Sequence, residues 1–167
     1  MIGRVSGMEE ISGTTDGTGL RVTVLAARFN DVVVRPLVAG ALAALERCGV
    51  EAVRVVWVPG SFELPLAAEA VALAGGCDAL VALAAVVRGD TPHFDYVAGE
   101  AARGLAGVAQ RHRIPIGFGV LTTLTLEQAI DRAGGKQGNK GADAALVAVE
   151  MASLLRRLGE GAQARPA

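Results

Sequence analysis

The sequence is short of the residues that build aromatic cores, metal sites and disulfide frameworks. Only 4% of its 167 residues are aromatic, and it has two cysteines and two histidines. Cys48 and Cys77 form no CxxC pair, and His93 and His112 are the only imidazoles. No metal site is expected from such a set, and the cysteines read as reduced thiols. A dominant charge is missing as well: 16 Lys and Arg stand against 17 Asp and Glu, a formal net charge of −1. That balance offers no electrostatic footing for nucleic acid or an anionic membrane. The most apolar run, Ala79–Val87, is far too short to cross a bilayer. Residues 1–19 are glycine-rich, carry Glu9, Glu10 and Asp16, and contain no apolar signal-peptide region. A cytoplasmic protein is the expectation.

What is plentiful is aliphatic. Half of the chain, 51%, is hydrophobic, and nearly all of that is Ala, Val and Leu, which suits close packing of helices on a sheet. A chain of this length has room for one domain with a sizeable core. Three stretches are expected: a loose or strand-forming segment over 1–19, the folded domain over 20–158, and a tail over 159–167. Met8–Ile11 could add an edge strand to the sheet of a neighbouring copy.

Within the domain, short β-type runs alternate with amphipathic ones. Leu20–Ala27, Val53–Val58, Ala79–Val87 and Ile116–Thr122 read as strands, the third apolar enough for a central parallel strand. Helices are expected over Val32–Cys48, closed by Gly49, with Pro36 either kinking it or marking its start. Others fall over Glu63–Leu73, Pro92–Arg111, Leu126–Ala133 and Lys140–Leu158, the last two separated by GGKQGN. This order implies a four-stranded parallel sheet covered by helices on both faces.

In such folds function gathers at the carboxyl ends of the strands, and there the unusual residues collect. The first strand runs out at Arg28-Phe29-Asn30, the second at Pro59-Gly60-Ser61-Phe62-Glu63, and the third at Arg88-Gly89-Asp90-Thr91-Pro92-His93-Phe94-Asp95. Thr91 suits an N-cap and Pro92 a first helical residue, which puts His93 in the first turn. There an imidazole can accept a proton and return it. The amides of Gly89, Asp90 and Thr91 suit an anion. The bland alternative is a surface turn with an incidental histidine. Glu63 either complements a helix dipole or accepts hydrogen bonds from a polyol, beside Ser61 and the Gly60 amide. Phe29 either packs within its loop or stacks on a heterocycle. Arg132, Lys136 and Lys140 lie among flexible glycines and are either solvated or gathered around an anion. They form no P-loop. The RGD triplet abuts a core strand and is not read as an adhesion motif.

Six stretches carry a resemblance to the lumazine synthase family: ARFN (27–30), VPGSFELP (58–65), VVRGDTPHFDYV (86–97), FGVLT (118–122), LEQAIDRAG (126–134) and GNKGADAALVAVEM (138–151). They occur in the family's order over residues 20–158. The resemblance implies a flavodoxin-like three-layer α/β/α fold. It also implies condensation of 5-amino-6-(D-ribitylamino)uracil with 3,4-dihydroxy-2-butanone 4-phosphate, giving 6,7-dimethyl-8-ribityllumazine, phosphate and water, without metal or organic cofactor. By position, Phe29 looks like the ring stacked on the pyrimidine, with Asn30 beside it. Gly60, Ser61 and Glu63 look like contacts to the ribityl chain, and Val86 and Val87 would offer backbone groups to the uracil edge. His93 matches the acid–base catalyst. Arg132 matches the phosphate-binding arginine, helped by Gly89, Asp90 and Thr91, with Lys136 and Lys140 nearby. Family sites lie between neighbours in a ring of five, so Phe118, Arg132 and Lys140 would reach another subunit's Phe29, Glu63 and His93. The short GGKQG connection resembles that of members closing into icosahedral shells of twelve pentamers, sixty subunits in all. A riboflavin synthase is a partner the resemblance allows. A non-catalytic paralogue that binds a lumazine or flavin, or only builds a shell, is the competing reading.

Overall fold

The computed structural model describes residues 7–163, with side chains as far as residue 159. The start of the N-terminal segment (1–6) and the end of the expected tail (164–167) lie outside the described residues. Four strands, β1 (Arg21–Ala27), β2 (Ala52–Val58), β3 (Ala79–Val87) and β4 (Ile116–Thr123), form one sheet in the order β2-β1-β3-β4. Every pairing in it is parallel. Five helices complete the domain: α1 (Asp31–Arg47), α2 (Leu64–Ala74), α3 (His93–His112), α4 (Leu126–Arg132) and α5 (Lys140–Gln163).

Alternation along the strands builds two cores. Val22, Val24, Ala26, Val81, Leu83 and Ala85 face the layer of α1, α4 and α5. Leu25, Ala27, Leu80, Ala82 and Ala84 face α2 and α3. With side chains buried on both faces, β3 has to be apolar throughout, and Ala79–Leu83 are fully buried. This is the three-layer α/β/α, flavodoxin-like arrangement implied by the sequence.

Scarcity of aromatics now has a spatial reason. A Cβ added at Gly117 on β4 would run into the carbonyl of Ala144 on α5, and one at Gly141 would run into the carbonyl of Leu37 on α1. Helix and strand backbones thus touch almost directly, and only Gly and Ala fit between them. Ala41 and Ala44 of α1, with Ala145, Ala148 and Ala152 of α5, continue the same close seam.

Most boundaries lie within a residue or two of expectation, with instructive departures. Helix α1 begins at Asp31 and runs through Pro36, which is neither its start nor its end. Pro36 sits early in the helix, where its missing N–H removes a single bond near the end. Gly49, at φ 73°, does close α1, with its amide on the Glu46 carbonyl at 2.9 Å. Thr91 is not the cap of α3. Pro92 takes that place with ψ 3°, its carbonyl accepting from the Asp95 amide, and His93 becomes the first helical residue. Glu63 is not inside α2 but ends a 3-10 turn (Ser61–Glu63) leading into it. GGKQGN forms a tight antiparallel hairpin of β5 (Ala133–Gly135) and β6 (Gly138–Asn139). Helix α5 continues past Leu158 into the expected tail. Met8–Ile11 is not a strand of its own sheet. The chain after it crosses α5, where Thr14 bonds Ser153 through both its amide and its hydroxyl.

At the end of the sheet opposite the strand exits, Asp78 ties β3 to β1. Its carboxylate accepts from the Arg21 backbone amide at 2.7 Å and from the Arg21 guanidinium at 3.2 Å, with Arg156 at 4.0 Å. Burial works against the charged form. The bonds from Arg21, with the charge of Arg156, outweigh it and hold the carboxyl below its ordinary value. A depressed carboxylate stabilises the fold above its unfolded pKa and loses that contribution as pH falls through the folded value. Asp78→Asn is therefore expected to lower the melting temperature at pH 7, with the gap from the unaltered protein starting to narrow near about pH 4 and closing only as pH falls on through the folded value. Melting curves at pH 7 and in a series below about pH 4 check this; a gap constant throughout would contradict it.

Candidate active site

The strand order places a topological switch between β1 and β3, since β1 leads outward to β2 while β3 leads to β4 on the other side. Connections leaving a parallel sheet in opposite directions open a crevice at the carboxyl ends. Paired registration of β1 with β3 stops at Ala26 and Leu83. Past that point the backbones part, and Asn30 bridges the gap with its side-chain amide, which donates to the Ala85 carbonyl at 2.8 Å. Asn30 holds a left-handed conformation, φ 60° and ψ 44°, that turns the chain into α1. Phe29, with its amide bonded to the Pro59 carbonyl at 3.1 Å, points outward and is 71% exposed.

A hollow of about 750 Å³ opens there. Phe29 and Asn30 come from the end of β1, and Gly60, Ser61, Phe62 and Glu63 from the turn after β2. Val86, Val87, Gly89 and Thr91 come from the end of β3, and His93, Phe94, Tyr96 and Val97 from the first turns of α3. Its walls are mostly apolar and aromatic, with one carboxylate and one imidazole. No protein acceptor takes the amides of Gly89, Asp90 or Thr91 among the described residues. They remain free for an anion.

Residues expected at this site do not all meet here. Phe118, Arg132 and Lys140 line a second hollow, of about 480 Å³, against the outer edge strand β4 and the start of α5. Arg132 donates to the Gln128 carbonyl at 3.0 Å, and Lys140 pairs with Asp143 at 2.8 Å. Asp90 is exposed and lines neither hollow. Lys136 sits at the tip of the β5–β6 hairpin, also outside both. Asn30 is committed through its amide to Ala85, so its first role is to hold the crevice open. Phe62, Phe94 and Tyr96 line the first hollow without having been picked out as site residues. Tyr96 had a usable signal, since it follows His93 by one helical turn and shares its face.

Residues 19–156 match the family described as 6,7-dimethyl-8-ribityllumazine synthase. The chain belongs to that family. A relative bearing the same name, 6,7-dimethyl-8-ribityllumazine synthase of Edwardsiella ictaluri (strain 93-146), is 51% identical over 154 residues, covering 90% of this chain and 99% of the relative. The lumazine synthase match spans every strand and both hollows. None of the helices among the described residues is long and apolar enough to cross a membrane.

Because Asn30 serves through both backbone and side chain, its two roles separate by substitution. Asn30→Gly keeps the left-handed turn but drops the bond to Ala85, at a cost of about 1 kcal/mol. Asn30→Ala loses both and is expected to cost about 2–3 kcal/mol. Denaturant titration checks the order; equal losses would put the whole effect in the side chain.

Proposed function

We propose that this chain condenses 5-amino-6-(D-ribitylamino)uracil with 3,4-dihydroxy-2-butanone 4-phosphate, as a member of the lumazine synthase family. The observation that carries the assignment of residues is the partition of the site. The ring, carboxylate and imidazole line one hollow at the carboxyl ends of β1, β2 and β3, while the arginine and lysine line another against edge strand β4. A subunit with complementary half-sites on two different faces joins head to tail, and such contacts close into a ring where the rotation between neighbours closes. In a ring of five, Phe118, Arg132 and Lys140 of one subunit complete the hollow of the next.

In the completed site Phe29 stacks on the pyrimidine, and Ser61, Glu63 and the Gly60 amide hold the ribityl hydroxyls. Backbone groups of Val86 and Val87 meet the uracil edge. The substrate phosphate rests on the amides of Gly89, Asp90 and Thr91 against the neighbour's Arg132, with Lys136 and Lys140 adding positive charge. The primary amine of the uracil attacks the ketone and expels water, forming an imine. Loss of a proton from the adjacent carbon then drives phosphate out. The enol tautomerises to a ketone, and the ribityl-bearing nitrogen closes the second ring with loss of another water. His93, exposed at the mouth of the hollow, moves the protons. Every step is proton transfer and positioning, so no metal or organic cofactor enters the scheme. Larger assembly fits the short β5–β6 hairpin: a shell of twelve such rings, in the cytoplasm, with a riboflavin synthase as its natural partner.

The test is formation of the lumazine chromophore, followed against the uncatalysed condensation. Unaltered protein is expected to exceed that background. His93→Ala is expected to slow turnover by about 10²–10⁴-fold without abolishing it. Mixing His93→Ala with Arg132→Ala subunits, after dissociation and reassembly, is expected to restore activity, because about a quarter of the interfaces then pair two intact half-sites. No restoration would overturn the shared site. No acceleration at all, with lumazine still bound, would support a non-catalytic binder. Light scattering checks the assembly: a mass near five subunits argues against the shell, and a monomeric mass against the shared site itself.

A further inference from the structure

Arg88 is the one residue of the RGDTPHFD segment that reaches across it, and the proposed acid–base role of His93 leaves it without a task. Its backbone amide donates to the Thr123 carbonyl on β4 at 2.9 Å. Its guanidinium donates to Asp95 at 2.8 Å and lies over the Phe94 ring, 4.8 Å from the centroid. Between these anchors, residues 89–91 make no hydrogen bond through their amides among the described residues, and α3 starts without a side-chain cap. Among the described residues no other hydrogen bond or ion pair ties the first turn of α3 to the end of β3.

We propose that Arg88 is a positioning residue that clamps His93 and the Gly89–Thr91 amides over the first hollow, by gripping the first turn of α3 from the end of β3. His93 sits between the loop and the two gripped residues, so its ring follows their placement. The task suits arginine and not lysine. A planar guanidinium stacks on a ring and bonds a carboxylate at once, whereas an ammonium is a point charge with no flat face. Arg88 and Asp95 have 45% and 57% of their side chains exposed, so the pair adds little to global stability. Its effect falls on local order, and a small misplacement of a catalytic group is costly to rate. The inference rests on the proposed condensation for its kinetic consequence, but not for the clamp itself.

Two measurements on the whole assembly test it, using Arg88→Lys, Asp95→Asn and the double variant. In the chromophore assay each single variant is expected to lower kcat by roughly tenfold, with KM for either substrate changing less than about twofold and melting temperature unchanged. The double variant is expected to be no slower than the worse single one, because both break the same contact. In amide hydrogen exchange, followed by mass spectrometry, the bonded first-turn amides of residues 95–97 are expected to exchange faster in each variant, while 101–112 stay as they were. Unchanged exchange over 95–97 would overturn the clamp whether or not the protein proves active. A rise in KM for the phosphate substrate alone would overturn it too, making Arg88 a phosphate ligand. An unaltered protein that fails to accelerate condensation would refute the proposed function, and exchange would still decide the clamp.

Discussion

The hydrogen bond from the Asn30 side chain to the Ala85 carbonyl stands at the point on which the site depends. Parallel strands share a ladder only while their backbones run together, and β1 and β3 stop doing so at Ala26 and Leu83. A crevice in a sheet exposes carbonyls and amides that lack partners. Asn30 supplies one of them from a side chain, without closing the gap that a further backbone bond would close. The same residue takes the left-handed turn that sends Phe29 outward and starts α1. Fold and binding surface are thus set by one residue whose amide reaches and whose backbone tolerates the turn.

The second hollow is held by a related device. Asn139 donates to the Pro36 carbonyl at 2.9 Å while its oxygen accepts from the Gly141 and Ala142 amides at 2.9 and 3.1 Å. It caps α5 and staples that cap to α1. A side chain at Gly40 would collide with Asn139, and one at Gly141 with the Leu37 carbonyl, so both glycines are required by closeness alone. Lys140 follows the staple directly, and Arg132 precedes the hairpin leading to it. Lys140 is thereby tied to α1, the helix that Asn30 begins, and one helix links the crevice at the carboxyl ends of β1 and β3 to the hollow on edge strand β4.

How much of this was legible in the sequence follows from which forces are local. β3 could be read from end to end, because a strand buried on both faces must be apolar throughout. Gly49 was legible as the end of α1, since a left-handed closing residue is a local demand. The start of α3 was misplaced by one residue, because Thr91 suits a cap and only the torsion of Pro92 excluded it. That Phe29, Ser61, Glu63 and His93 would share a rim followed from strand order and the rule that exits share one end. That Phe118 and Arg132 would lie elsewhere did not follow from composition or spacing. Arg132 ends a short helix just before glycines that carry no periodic signal, and where it points depends on packing of α4 and α5 against β4. Only the family resemblance separated those residues from the rim.

That separation has an electrostatic logic. The first hollow holds Glu63 and an imidazole, but neither arginine nor lysine lines it. In one subunit a phosphate dianion would meet the Ser61 and Thr91 hydroxyls, the His93 imidazole and the backbone amides just before α3, facing a carboxylate in the same hollow. Amides and a helix dipole contribute modestly when solvated and much more when water is excluded. In the proposed shared site, a neighbour docking its β4 edge over the hollow would do two things at once: bring Arg132, and remove the water that screens every charge present. Assembly and phosphate binding would then reinforce each other. Charge buried at the interface would be neutralised by the substrate, and the substrate held by charge that one subunit does not supply. On this proposal a chain with nearly balanced charge overall builds a cationic subsite only where two copies meet.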